Sequence, residues 1–206
     1  MTWCIVSYVA GIWLRSKWAA GPAVAGREEG ASAVADVTDP AAAPGTYVFP
    51  KDFRPKYGHF DMIFPTDVEV VRKGESKSRE VHAFPADRYL LRCAESAASR
   101  VQLSDVKGEQ RSVYVGGDAM SGPVFPDNRD FREFAFRTWH VQLHEMEGTA
   151  VAQVGYVNRV PVLIIRGISD LAGGQRGPNW EETYTRLASK NAASVAAATL
   201  DTIIGR

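Results

Sequence analysis

With 24 basic and 24 acidic side chains in 206 residues, the chain has no formal net charge, which gives no support for nucleic acid or a membrane surface as its main partner. A hydrophobic content of 45% and a charged content of 23% suit one globular domain with a sizeable core. Cys4 and Cys93 match no metal or redox spacing, and His59, His82, His140 and His144 form no metal pattern. Two free thiols, no metal and no cofactor are the expectation.

In chain order, "TWCIVSYVAGIWL" is apolar but too short to span a membrane. Its charges, Arg15 and Lys17, follow the apolar run, whereas a secretory leader carries them before it. A cytoplasmic protein is therefore expected. Residues 19–46 are rich in Ala, Gly and Pro, and residues 1–46 as a whole read as an irregular or divergent segment ahead of a domain at 47–206. The aromatic, proline-broken stretch 47–66 reads either as a lid over a pocket or as a surface loop pinned by its aromatics. "VEVVRKGESKSREVHAF" predicts two short strands around a polar turn at Gly74.

"PADRYLLRCAESAASRV" predicts a helix capped by Asp87, with Tyr89, Leu90, Cys93 and Ala97 on one face. A β-α-β-α-β-α alternation follows. Its strands are "SVYVGG", "VQLHEM" and "VPVLIIRGIS"; its helices are "PDNRDFREFAFRTW", "EGTAVAQVGYVNR" and the long closing segment from Asn179. Strands alternating with helices predict a parallel sheet, and the unbroken apolar run 160–165 predicts a strand covered on both faces.

Ligands of open α/β sheets bind beyond the carboxyl ends of the strands. Asp118, Glu147 and Asp170 follow the three predicted strands, so all three carboxylates are expected at one edge. Each also has a plain structural reading: Asp118 as a turn acceptor, Glu147 as a first-turn acid on a helix dipole, and Asp170 as a loop cap. Three acids without a histidine, cysteine or lysine partner argue against a nucleophilic triad, and no phosphate-binding or dinucleotide glycine motif occurs.

"EMEGTAVAQVGYVNRVPVLIIRGISD", with "GGDAMSG" upstream, resembles the purine nucleoside phosphorylase and uridine phosphorylase superfamily. Within it, the pattern M-E-[GAS]-x-A followed by R-x-[IL]-S-D is most similar to 5'-methylthioadenosine/S-adenosylhomocysteine nucleosidases. The resemblance implies a three-layer α/β/α fold with a mixed, largely parallel central sheet. The family's N-terminal strand and glycine-rich loop are not recognisable, which implies an N-terminally truncated version.

By that resemblance Glu147 would accept the ribose 2'- and 3'-hydroxyls and Met146 would pack beneath the sugar. Asp170 would protonate purine N7 as the glycosidic bond breaks, with Ser169 supporting it. Met120 and Ser121 would border the base, and Tyr184 would face the 5'-substituent. The implied activity is hydrolytic release of adenine from methylthioadenosine or S-adenosylhomocysteine. The alternatives are a phosphate-dependent phosphorylase and a non-catalytic nucleoside-binding protein. The partners implied are a small-molecule nucleoside, phosphate in the phosphorylase case, and further copies of the chain in a dimer or larger homo-oligomer.

Overall fold

The computed structural model describes residues 4–7, 10–14, 55–60, 63–104, 111–173 and 181–205. Side chains are described from residue 55 onward, apart from those of Arg111 and residues 181–185. The elements are β1 (Cys4–Ser7), β2 (Ala10–Leu14), β3 (Val68–Val70), β4 (Arg79–Val81), α1 (Arg88–Ala98), β5 (Arg111–Val115), β6 (Asp118–Ser121), α2 (Arg129–Trp139), β7 (Val141–Glu145), α3 (Gly148–Asn158), β8 (Ile165–Gly167) and α4 (Glu181–Ile203). Two strands thus lie inside the segment read as irregular.

The fold is α/β, but the described strands do not pair as one parallel sheet. β6 lies between β1, antiparallel to it, and β7, parallel to it. β2 lies between β5, antiparallel, and β8, parallel. β3 and β4 form the expected hairpin, with Gly74 at φ 83° in its turn.

Two local causes explain the departure. Gly116 and Gly117 both adopt positive φ, 105° and 92°, and bend the chain after β5. "DAMS" is therefore a strand of its own, β6, not a loop. At the third predicted strand, the Val162 carbonyl accepts the backbone N–H of Asp87 at 2.9 Å, at the entry to α1. Residues 160–164 are consequently not a strand, and β8 is confined to Ile165–Gly167.

The helices follow their sequence signals more closely. Asp87 caps α1 by accepting from the N–H groups of Tyr89 and Leu90 at 2.9 and 3.0 Å. The buried face of α1 is Cys93, Ala94 and Ala97; Tyr89, expected on that face, is half-exposed. Asn128 caps α2 by accepting from Phe131 N–H at 2.9 Å. Phe131, Ala135 and Trp139, four residues apart, form the buried face of α2.

Alternate residues of β6 feed two cores on opposite faces of the β6–β7 pair. Ala119 joins Val70, Val81, Phe84 and Ala152, so β3, β4 and α3 close one face. Met120 joins Phe131, Ala135, Trp139 and Val141, so α2 closes the other. Phe84 and Met120 are fully buried, each worth roughly 1.5–3 kcal/mol relative to exposure.

The described part of the aromatic stretch is pinned onto this second core. Tyr57, Phe60 and Ile63 pack against it. The Trp139 indole donates to the Tyr57 carbonyl at 2.7 Å, and the Tyr57 hydroxyl donates to Asp67 at 2.5 Å. Residues 47–54, 61 and 62 lie outside the described residues. Among the described residues, no helix is long and apolar enough to cross a membrane.

Candidate active site

β6 and β7 run parallel and end together, with Ser121 opposite Glu145. The chain then passes through Met146 and Glu147 into α3. Beyond their carboxyl ends lies a connected polar cluster, in which Glu145 is the hub.

One Glu145 oxygen accepts the Ser121 hydroxyl. The other accepts the N–H of Glu147 at 3.0 Å, the N–H of Gly148 at 2.6 Å and the Arg166 guanidinium at 2.5 Å. Four donors therefore hold this carboxylate, three of them on one oxygen. Two of the donors are backbone groups at the start of α3, where a helix leaves N–H groups without intrahelical partners. Glu145 is thus the true cap of α3.

The geometry depends on Gly148. A Cβ there would lie 2.9–3.0 Å from the Glu145 carboxylate atoms, so a side chain would push that group from beneath the helix. Ser121 completes the cap, because its oxygen also accepts the Thr149 N–H at 2.8 Å.

Glu147 has the opposite character. It stands at the N-cap position of α3, but its side chain makes no cap hydrogen bond. It accepts from Arg166 at 2.7 Å and is 64% exposed, against 7% for Glu145. Its remaining lone pairs are available to a ligand. Met146, between the two acids, is 45% exposed.

Arg166 comes from the middle of β8, in an otherwise apolar run, and brings β8 to the end of β7. Four residues later lies Asp170. Its Oδ2 accepts from the Ser169 hydroxyl at 2.9 Å and its Oδ1 from the Ala172 N–H at 2.8 Å. The loop is tied down at the start of α2, where the Arg132 guanidinium donates to the Leu171 carbonyl. Gly173, at φ 82°, lies so close that a Cβ would sit 2.7 Å from the Arg129 nitrogen.

The predicted residues therefore divide. Ser121 and Glu147 belong to one cluster through Glu145 and Arg166, and Ser169 and Asp170 form a second pair on the loop after β8. Met120 has its side chain wholly in the core under α2. Tyr184 falls within α4, and its side chain lies outside the described residues. Asp118 does not join the other acids. It opens β6 opposite Val141, at the amino end of β7, so the expected place of Asp118 beside the other two carboxylates is corrected.

Glu145 and Arg166 were not singled out from sequence as site residues. An arginine inside a buried apolar run was the available signal, because such a charge requires a carboxylate partner.

The site thus presents an exposed carboxylate, Glu147, after β7 and a hydrogen-bonded one, Asp170, after β8. The family model described as the Phosphorylase superfamily matches residues 34–205. The chain belongs to that superfamily of enzymes. A curated 5'-methylthioadenosine/S-adenosylhomocysteine nucleosidase of Tolumonas auensis is 41% identical over 144 residues, 68% of this chain and 59% of that protein. One from Psychromonas ingrahamii is 35% identical over 111 residues, 54% of this chain and 45% of that protein. One from Treponema pallidum is 33% identical over 145 residues, 61% of this chain and 54% of that protein. The chain thus spans about half the length of the curated relatives it matches. No solved structure matches it.

Proposed function

We propose that the protein cleaves the N-glycosidic bond of a purine nucleoside, releasing adenine from methylthioadenosine or S-adenosylhomocysteine by hydrolysis. The observation that carries this reading is the contrast between Glu145, buried and held by four donors, and Glu147, exposed and, among the described residues, held by Arg166 alone. A carboxylate so placed accepts two hydrogen bonds from a cis-diol, charge-assisted and therefore strong.

In this reading Glu147 holds the ribose 2'- and 3'-hydroxyls and Met146 lies against the sugar. Water forms a bond to C1' and gives up a proton to solvent as the bond from C1' to the purine breaks, and Asp170, protonated beforehand, delivers its own proton to purine N7. The leaving base then departs neutral instead of as an anion, the general-acid contribution that commonly supplies 10²–10⁴-fold in rate. The bond from Ser169 and the Ala172 N–H set the Asp170 carboxyl in one orientation. Met120 and Ser121 border the base through the backbone of β6, and Tyr184 faces the 5'-group.

The names of the curated relatives favour water as the nucleophile, and the description of the superfamily favours phosphate. Incubating the protein with methylthioadenosine, with and without phosphate, and following free adenine separates them. Release that does not depend on phosphate supports the nucleosidase. Release only with phosphate replaces it by a phosphorylase. Nucleoside binding without release replaces both by a binding protein.

A further inference from the structure

Glu145 lies in the centre of the cluster, 7% exposed and held by four donors, whereas Glu147 beside it is open to solvent. We propose that Glu145 is a positioning residue: by sharing the Arg166 guanidinium, it leaves Glu147 open for a sugar diol. This rests on the reading of Glu147 as the diol acceptor.

The geometry is specific. A single Arg166 nitrogen, Nη2, donates to Glu145 at 2.5 Å and to Glu147 at 2.7 Å. That nitrogen carries two hydrogens, so each carboxylate receives one. A guanidinium facing a lone carboxylate instead prefers the two-point fork, which occupies both oxygens. Glu145 prevents this. It is the fixed member of the pair, anchored by Ser121, by two N–H groups of α3 and by the clearance at Gly148. Glu147 is the exposed member, with no anchor but Arg166 among the described contacts.

Removing the Glu145 charge while keeping its shape releases Arg166 onto Glu147. The fork then competes with the diol for the same oxygens. The loss is specific to ligands that bear the diol, which a general loosening of the fold would not be.

The test is binding calorimetry with two probes that carry carbon in place of purine N7 and so resist the proposed cleavage, 7-deaza-5'-methylthioadenosine and its 2',3'-dideoxy counterpart. The wild type is expected to prefer the ribose form by about tenfold or more, the value of one or two charge-assisted hydrogen bonds. Glu145→Gln is expected to reduce that preference to about twofold, with dideoxy affinity nearly unchanged. The double variant Glu145→Gln/Arg166→Gln, which removes the competing guanidinium, is expected to regain most of the preference. A folded Glu145→Gln protein that keeps the wild-type preference overturns the proposal, and so does a double variant with no recovery. Should Glu145→Gln not fold, Arg166→Lys gives the second reading. An ammonium cannot close the fork, so the preference is retained, and its loss overturns the proposal. A wild type that binds nucleoside but ignores the diol overturns the reading of Glu147 first, and the role of Glu145 with it.

Discussion

Ser121 and Glu145 face each other across the last register position of β6 and β7, and the serine hydroxyl serves both the Glu145 carboxylate and the Thr149 N–H. One hydroxyl thereby joins two strands to the start of α3. Ser121→Ala removes a donor and an acceptor in a buried place, and should lower stability by about 1–3 kcal/mol. Denaturant unfolding of the variant checks this, and a midpoint equal to the wild type would show the pair to be incidental.

Gly167, the residue after Arg166, lies directly against the backbone of α4. A Cβ there would be 2.9 Å from the Ala188 Cα and closer still to its carbonyl. Backbone cannot rotate aside as a side chain can, so Gly167→Ala should separate α4 from β8 and cost about 1–3 kcal/mol or more. The same shift moves the loop that carries Asp170. Thermal melting together with an activity assay is the check; a variant with unchanged melting temperature would contradict the close approach.

His144, on β7 against the Phe131 ring, should set part of the acid limb of stability. Burial first, and then the Arg132 charge, push its imidazole from the ordinary 6.5 down to about 4. The folded protein holds it neutral while the unfolded chain takes up a proton below pH 6.5. Stability is therefore lost as the pH falls from about 6.5 toward about 4, by up to about 3 kcal/mol from this group. Unfolding measured at pH 7.5 and pH 4.5 should show a smaller loss in His144→Leu than in the wild type. Equal losses would assign the acid limb to other groups.

Much of the local structure was legible in the sequence, because short-range chemistry specifies it. Asp87 precedes apolar residues at helical spacing and is the cap of its helix; for α2 the sequence leaves Asp127 and Asn128 open, and Asn128 is the cap. The turn at Gly74 needed only a polar stretch between two apolar ones. What was not legible depends on distant partners. The pairing of β2 with β5 and β8 brings together residues more than 90 positions apart, and nothing in "AGIWL" specifies that register.

The candidate site was legible to the same limit. Glu145 and Glu147 flank Met146 symmetrically in the sequence, and a carboxylate on either side looks equally able to meet a sugar. Which one turns back under α3 is settled by Gly148 and Ser121, one of them 24 residues upstream of Glu145. Asp118 follows a strand signal, which predicts it at the shared edge. The glycine bend after β5 started a new strand with it, and that placed it at the opposite end.

The central claim is that Asp170 serves as the acid in breaking a purine–ribose bond. The most direct test follows adenine release from methylthioadenosine by the wild type and by Asp170→Asn, with nucleoside binding measured in parallel. Release by the wild type, a loss of at least about 10²-fold in the variant and little change in its affinity are expected. An Asp170→Asn protein that releases adenine at the wild-type rate would contradict that claim.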